Sequence, residues 1–338
     1  MKRNYPLLAA MLMLVIAIGS CSNNRKQATE ADENARPDVV PASVVVPAFN
    51  ADSAYRYVKE QVDFGPRVPN TAAHRACGDY LINKLRQFSA QVHVQEADLV
   101  AYDNTILKAR NIIGSYQPEN RRRVLLCAHW DSRPYADAER NKKRQREPIL
   151  GANDGASGVG VLLELARLIQ QRQPAIGIDI IFFDAEDYGM PTFHRGQYKP
   201  DTWCLGSQYW GRVPHTQGYN ARYGILLDMV GGRGATFYRE LFSQRTAPAQ
   251  VKKIWDTAAR LGFQDFFPQA DGTEVTDDHI YVYNLTRIPC VDIINYDPQG
   301  DTGFGDFWHT HDDNMDIIDR ATLNAVGTTV ATVIYNEK

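Results

Sequence analysis

The sequence predicts an α/β fold, in which a β-sheet is flanked by helices. Helical patterns alternate along the chain with short apolar segments, and most of these segments are continuous runs, as in strands covered on both faces. The 338 residues include 44% hydrophobic and 23% charged residues, which is typical of globular proteins. Since no repeat of about 20–50 residues is visible either, a disordered chain, a coiled coil and a fibrous protein are excluded.

Apolar runs predict six strands, which are Val92–Val94, Ala109–Tyr116, Val124–Ala128, Ile178–Phe183, Tyr223–Met229 and Cys290–Ile294. Recurrence at helical spacing predicts five helices, which are Asp52–Val62, Thr71–Phe88, Gly158–Gln171, Ala247–Leu261 and Arg320–Ile334. Two further segments are predicted to be long loops. Tyr135–Pro148 contains a basic run that suits a solvated loop or a binding patch, and Tyr188–Trp203 is long enough to indicate a functional loop.

The N-terminus is predicted to be an export signal. Lys2 and Arg3 precede an apolar run from Pro6 to Ile18, which is shorter than the ~20 residues that a membrane-spanning helix needs. The run ends in Ile18-Gly19-Ser20-Cys21, which resembles a bacterial lipobox, although an ordinary secretory signal with a chance cysteine is the alternative. We therefore expect an exported, periplasmic protein that is attached to a membrane only through a lipid on Cys21.

The chain is accordingly divided into three parts. Residues 1–20 are the predicted lipoprotein-type signal peptide, and residues 21–49, which are polar and rich in Pro, Ala and Glu, are a flexible tether. Residues 50–338 form one predicted catalytic domain, for which we expect a monomer. The net charge of −3 lacks the basic excess of a nucleic-acid-binding protein.

Five cysteines are too few for a disulfide scaffold in a chain of this length. Cys127 and Cys290 lie in predicted buried strands and are expected to be free thiols. The sequence assigns no partner to Cys77 or Cys204.

Acidic and histidine clusters follow several predicted strands or open the helices after them. These clusters are His129–Asp131, Asn153–Gly155, Asp184–Asp187, Asp228, Asp277–His279 and Trp308–Asp313. Ligands of open α/β sheets bind at the carboxyl ends of the strands, and a bound cation is the simplest compensation for so many carboxylates there. Alone, Asp154 also suits a helix cap and His309 a structural histidine. The combination of histidine with carboxylates, without cysteine, is typical of a catalytic zinc site.

The order of these motifs resembles the co-catalytic zinc aminopeptidase family. The matching residues are His129-x-Asp131, Asp154 in Asn-Asp-Gly-Ala-Ser-Gly, Glu186-Asp187, Asp228 and His309, and Phe64–Pro69 is similar as well. The resemblance covers residues 51–338. It implies a three-layer α-β-α fold of the zinc-exopeptidase type, with a central mixed, mostly parallel twisted sheet.

One branch of this fold is more similar still, the bacterial glutaminyl-peptide cyclotransferases. Its motifs are matched by Leu227–Gly231, Asp277–Ile280, Pro148–Gly158 and Trp308-His309-Thr310 followed by Asp312-Asp313-Asn314. This resemblance implies an acyltransferase that converts the N-terminal glutamine of peptides and proteins to pyroglutamate and releases ammonia.

The same resemblance implies roles for individual residues. One zinc ion per chain would be held by Asp154, Asp187 and His309. Glu186 would be the proton shuttle, and Asp228 and Asp277 would belong to a catalytic carboxylate network. The substrate pocket would be walled by three aromatic residues, Trp308, Phe304 and Trp203, of which Trp203 could equally be a surface-loop residue.

The sequence departs at two positions from the animal glutaminyl-peptide cyclotransferases. Those enzymes have Glu at the position of Asp187 and His at the position of Asp292. Asp292 could also be an internal strand residue that pairs with a donor. Together with His129 and Asp131, Asp292 is a candidate for the network or for a second metal.

Three alternative functions follow from the same residues. A two-zinc aminopeptidase would use His129 and Asp228 for its second ion. A catalytically silent ectodomain is disfavoured by the intact Glu186. A nucleotide-binding protein is disfavoured because Gly155–Gly160 has its glycines in the wrong order for a dinucleotide fingerprint.

Overall fold

The computed structural model describes residues 44–300 and 302–338. The predicted signal peptide, Cys21 and most of the predicted tether therefore lie outside the described residues. Val46 and Phe49, the last part of that tether, already pack against the hydrophobic core. No helix among the described residues has the length and apolar character needed to cross a membrane.

The described residues form one central sheet and helices on both of its sides. The strands are β1 (Gln91–Val100), β2 (Ile106–Tyr116), β3 (Arg123–His129), β4 (Gly177–Phe183), β5 (Gly224–Asp228) and β6 (Cys290–Ile294). The α-helices are α1 (Ala51–Val62), α2 (Ala72–Gln87), α3 (Ala156–Gln171), α4 (Leu205–Arg212), α5 (Leu241–Thr246), α6 (Pro248–Arg260), α7 (Asp278–Thr286) and α8 (Arg320–Tyr335).

The sheet has the strand order β1-β2-β4-β3-β5-β6. Strands β3, β4, β5 and β6 run parallel, whereas β2 is antiparallel to both β1 and β4. This arrangement confirms the predicted mixed, mostly parallel sheet. Because the four parallel strands point the same way, their carboxyl ends meet at one edge.

Alternate residues of the strands face different helical layers. Leu126, Ile180 and Ile225 belong to the core shared with α1, α3 and α8. Leu125 and Leu226 belong to a second core with Trp210 of α4 and Val282 of α7. Both faces of the central strands are therefore covered, which explains their continuous apolar runs and confirms the three-layer architecture.

The structure differs from the predicted elements in several short segments. The helices α4, α5 and α7 were not predicted, because segments of six to nine residues carry too few turns to show a period. Strand β1 extends far beyond Val92–Val94, since Glu96 and Asp98 on its exposed side interrupt the apolar pattern. All four described cysteines are buried free thiols, as predicted for Cys127 and Cys290.

Candidate active site

The predicted site residues come together at the carboxyl edge of the parallel strands. His129 is the last residue of β3, Asp228 is the last residue of β5, and Glu186 and Asp187 follow β4. Asp154 precedes α3, and His309 lies in the segment between β6 and α8.

These residues surround a cavity of about 160 Å³. Nine of the predicted site residues line it, namely Asp154, Glu186, Asp187, Trp203, Asp228, Asp277, Phe304, Trp308 and His309. The other three, His129, Asp131 and Asp292, are buried and are not among its lining residues. The sequence thus identified most of the polar wall of the cavity.

Asp154, Asp187 and His309 form a group that could hold a metal ion. Each offers one ligand atom within 4.8 Å of the other two, and all three are buried. Nε2 of His309 lies 3.4 Å from a carboxylate oxygen of Asp187 and 3.6 Å from one of Asp154. The second oxygen of Asp187 is buried without a hydrogen-bond partner. Because an unpaired buried carboxylate oxygen is costly, this donor set fits a divalent cation with mixed nitrogen and oxygen ligands.

The ring of His309 is oriented from behind by Asp137. Nδ1 lies 3.2 Å from Asp137, so that Nε2 faces the two other ligands. Although burial opposes ionisation, contacts with Arg133 and His309 hold the pKa of Asp137 well below its usual range. Burial and Arg133 disfavour the charged form of His309, but Asp187 and Asp137 raise its pKa above the ordinary value.

Two buried carboxylates hold the loops that carry the ligands. Asp313 accepts hydrogen bonds from the backbone N–H groups of Asn153 (2.6 Å) and Asp154 (3.0 Å). Asp131 does the same for Glu186 (3.1 Å) and Asp187 (3.2 Å). Asp131 is therefore placed to support the turn, and it is not in any of the candidate metal groups found among the described residues.

The Arg67 guanidinium gives the segment Phe64–Pro69 a structural role. It is fully buried and donates hydrogen bonds to the backbone carbonyls of Trp130 (3.0 Å), Leu150 (2.6 Å) and Gly151 (2.7 Å). Arg67 thereby connects the loop after β3 to the loop before α3, which carry parts of the same site.

His129 lies between the carboxylates of Asp154 and Asp228. Its Nε2 is 3.0 Å from Asp154 and 3.2 Å from Asp228. Burial disfavours the charged ring, but its carboxylate neighbours Asp131, Asp154 and Asp228 raise the pKa of His129 well above its ordinary value. His129, Asp154 and Asp228 also offer converging ligand atoms, so this group is the candidate position for a second metal ion.

Glu186 is a buried acid at the wall of the cavity. Burial raises the pKa of Glu186 well above the ordinary value. Nearby His129 lowers this pKa, but Asp187 and Asp277 raise it again. The Cys204 thiol, which the sequence had not connected with the site, lies 3.2 Å from a Glu186 oxygen. A buried carboxyl with a raised pKa is suited to accept a proton and then to donate it.

Two further carboxylates complete the acidic wall. Burial raises the pKa of Asp228 to about 6 despite the contact with His129. Burial and the charge of Asp228 raise the pKa of Asp277 to about 7. One oxygen of Asp277 accepts from the N–H of Asp278 at the start of α7, and the other has no partner. Both carboxyls can therefore exchange protons near neutral pH.

Behind Asp277 lies a second buried polar group, formed by Glu240, His279 and Asp292. Nε2 of His279 is 3.2 Å from Glu240, and Nδ1 is 3.6 Å from Asp292. Asp292 is an internal residue of β6, which was one of the two predicted alternatives. Neither of its side-chain oxygens has a hydrogen-bond partner. Burial and Asp277 raise the pKa of Asp292 well above its ordinary value.

Glu240 links this group to the stability of the domain. Although burial opposes ionisation, His279 and two backbone N–H groups of α5 lower the pKa of Glu240 to about 2. A lowered carboxyl pKa stabilises the fold above the unfolded pKa of about 4.3, and the contribution disappears as the pH falls toward 2.

We therefore expect Glu240→Gln to lower the free energy of unfolding at pH 7 by about 2 kcal/mol. The deficit should shrink as the pH falls from about 5 toward 3, which urea unfolding at a series of pH values measures. Glu274→Gln is the matched control, because Glu274 forms only an exposed ion pair with Arg245 and should cost less than about 1 kcal/mol. A Glu240→Gln deficit that stays constant with pH would contradict this account.

Aromatic rings form the apolar wall of the cavity. Trp308 stacks on the ring of His309 with 3.7 Å between centroids, and Phe304 lies 5.0 Å from Trp308. Trp203 lies parallel to His309 at 6.1 Å and packs against the Arg133 guanidinium at 4.4 Å. Trp203 is therefore part of the cavity wall rather than an isolated surface aromatic.

Residues 111–334 match Peptidase family M28. This segment covers most of the chain, from β2 to α8, and includes every predicted site residue. The chain belongs to Peptidase family M28.

Individual M28-like proteins are similar over most of the chain. The crystal structure of Bacteroides thetaiotaomicron glutaminyl cyclase bound to N-acetylhistamine is 60% identical, with a TM-score of 0.86, over 87% of this chain and 100% of that chain. A structure described as a leucine aminopeptidase precursor from Bacteroides thetaiotaomicron is 59% identical, with a TM-score of 0.85, over 87% of this chain and 100% of that chain. Drosophila melanogaster glutaminyl-peptide cyclotransferase is 25% identical over 293 residues, which are 79% of this chain and 77% of that protein.

Several residues around this M28 site were not singled out from the sequence. Asp137, Arg133 and Glu240 contact site residues that are distant in the chain, namely His309, Asp187 and His279, so no local pattern marks them. Asp313 and His279 were visible only as parts of larger motifs. Apolar lining residues such as Met229 and Ile294 are indistinguishable in sequence from other core residues.

Proposed function

We propose that this M28 chain is a glutaminyl cyclase, a zinc-dependent acyltransferase that converts N-terminal glutamine of peptides and proteins to pyroglutamate. The observation that carries this proposal is the small cavity, which combines an aromatic wall, the buried acid Glu186 and the group Asp154, Asp187 and His309. A cavity of this size suits one side chain at a chain terminus. The glutaminyl cyclases among the similar proteins support the same activity.

The reaction joins two groups of the same residue. The α-amine of the glutamine attacks its own γ-amide carbonyl, and ammonia leaves, so that proximity is already provided by the substrate. Zinc held by Asp154, Asp187 and His309 would supply a Lewis acid for the γ-carbonyl. The aromatic rings of Trp308, Phe304 and Trp203 would hold the side chain in place and exclude water.

Glu186 carries the proton in this proposal. It accepts a proton from the attacking amine and delivers it to the leaving nitrogen, for which its raised pKa is suited. Because Asp131 holds the backbone of both Glu186 and Asp187, Asp187 would face the metal while Glu186 faces the substrate. Asp228 and Asp277 would accept hydrogen bonds from the substrate nitrogens.

A two-zinc aminopeptidase is the second candidate, because His129, Asp154 and Asp228 also offer converging ligand atoms. The aromatic wall of the cavity weighs against it, since Trp308, stacked on His309, favours a closed pocket for a single side chain. We therefore propose one zinc ion per chain.

The proposed location rests on the sequence alone. We propose a periplasmic monomer with a lipid anchor on Cys21 whose substrates are exported proteins. Metabolic labelling with a radioactive fatty acid tests the anchor, and Cys21→Ser should abolish the label.

Release of ammonia from Gln-Ala-amide by the purified enzyme tests the activity. The matched control is N-acetyl-Gln-Ala-amide, whose blocked amine cannot attack the side chain. Ammonia from the free-amine substrate alone supports cyclisation. Equal ammonia release from both substrates would instead identify hydrolysis of the side-chain amide and contradict the proposal.

A further inference from the structure

The two long loops beside the cavity are strongly basic in an otherwise acidic chain. Residues 135–148 and 188–203 together contain seven lysines and arginines but four aspartates and glutamates, whereas the whole chain has 37 of the former and 40 of the latter. One of the four acids, Asp137, is buried against Arg133. The positive charge is therefore concentrated on the exposed part of these loops.

The loops enclose a second cavity of about 660 Å³, which we call the basic groove. It is lined by residues that include Tyr102, Tyr135, Lys142, Arg146, Phe193 and Arg195. The aromatic residues are packed together: the Tyr102 hydroxyl donates to the Tyr135 hydroxyl at 3.0 Å, and the rings of Tyr135 and Phe193 meet edge to face at 5.4 Å. The Arg146 guanidinium lies 4.4 Å from the centroid of the Phe193 ring.

The cations of the basic groove have no acidic partner of their own. Within residues 44–300 and 302–338, the side chains of Lys142, Arg146 and Arg195 form neither an ion pair nor a hydrogen bond. Arg144, by contrast, is paired with Glu147, and Glu139 and Glu147 both contact His311. Three exposed, unpaired cations around aromatic rings are typical of a surface that binds an acidic ligand.

The basic groove is joined to the active-site cavity through both loops. The N–H of Ala138 donates to the carbonyl of His309 at 3.2 Å. The N–H of Thr192 donates to Asp137, which also lies 3.2 Å from His309. Trp203, at the end of the second loop, lines the active-site cavity. A peptide whose first residue occupies that cavity can therefore extend over these loops. An extended peptide covers about 3.3 Å per residue.

We propose that the basic groove binds acidic residues that follow the N-terminal glutamine of the substrate. This inference rests on the proposed function and names a substrate class for it, namely polypeptides with aspartate or glutamate a few residues after the glutamine. A membrane surface is the less suited occupant, because the groove is concave and its loops also contact His309 of the active site.

The test compares kcat/KM for Gln-initiated hexapeptides that carry two glutamates or two glutamines at positions three to six. We expect the acidic peptides to be preferred about tenfold at low salt, with the preference falling as ionic strength rises. In the variant Lys142→Gln/Arg146→Gln/Arg195→Gln, the preference should disappear. The control Lys59→Gln/Lys108→Gln/Lys252→Gln removes equal charge from exposed sites, where each lysine already has an acidic partner, and should keep the preference.

Equal kcat/KM for acidic and neutral peptides in the wild-type enzyme would overturn the inference, as would a preference that the groove variant retains. If peptide preference is absent and the groove variant instead loses binding to phosphatidylglycerol vesicles, the surface serves a membrane. Because each variant is compared by its acidic-to-neutral ratio, a partial loss of folded protein does not alter the result, and the single variant Arg195→Gln repeats the test. Wild-type turnover of Gln-Ala-amide separates failure of this inference from failure of the proposed function.

Discussion

Glu186→Gln is expected to reduce cyclisation by about 10²–10⁴-fold while zinc stays bound. The substitution keeps the shape of the side chain but removes its capacity to accept a proton. Glu186 is not in the group Asp154, Asp187 and His309, and its backbone is held by Asp131 regardless of the side chain. Initial rates with Gln-Ala-amide and zinc content by elemental analysis measure the two effects separately.

Glu119→Gln is the matched control for this prediction. Glu119 is exposed on the loop before β3, and the same chemical change there should leave turnover and zinc content unaltered. Near-normal activity of Glu186→Gln would show that another group carries the proton. Simultaneous loss of zinc would instead place Glu186 among the metal ligands.

Asp187→Asn is expected to lose zinc and to reduce turnover by more than about 100-fold. The substitution removes one of two carboxylates from the proposed metal site, and such a change should exceed the ~10–100-fold effect of losing an outer partner of a ligand. The wild-type enzyme should lose all activity in a strong chelator and regain it when zinc is added. Its Tm should also rise on zinc addition, because a ligand that binds only the folded state stabilises it.

Asp312→Asn provides the comparison for Asp187→Asn. Asp312 is exposed and lies three residues after His309, so its substitution should change neither zinc content nor the response of Tm to zinc. A chelated enzyme that contains no zinc and keeps full turnover would refute the metal-dependent account.

The central strands and long helices were predictable because their environment leaves a strong pattern. Strands β3, β4 and β6 are covered on both faces, so burial favours apolar residues at most of their positions. Helix α8 repeats its apolar residues over sixteen positions. Helix α5, with six residues, leaves no such period, and its cap residue Glu240 is one that sequence rules for helix starts do not favour.

The site was predictable where function requires a particular residue type at a strand end. His129, Asp187 and Asp228 occupy such positions, and the resemblance to known motifs supplied the rest. The supporting contacts were not predictable. Asp137 and His309 are 172 positions apart, and nothing in either segment indicates that the carboxylate orients the ring.

Asp292 shows how the two kinds of information combine. The sequence marked it as a departure from the animal enzymes but left open whether it pairs with a donor. The structure places it inside β6 with two unpartnered oxygens and a raised pKa. A buried carboxyl with a raised pKa beside Asp277 therefore replaces the imidazole that the resemblance would have placed there.

The most direct test of the proposed activity is mass spectrometry of two peptides incubated with the purified enzyme, one beginning with glutamine and one with leucine. We predict that the glutamine peptide loses one molecule of ammonia with its chain otherwise intact, while the leucine peptide is unchanged. Release of free leucine, or shortening of the glutamine peptide by one residue, would contradict the account and identify an aminopeptidase.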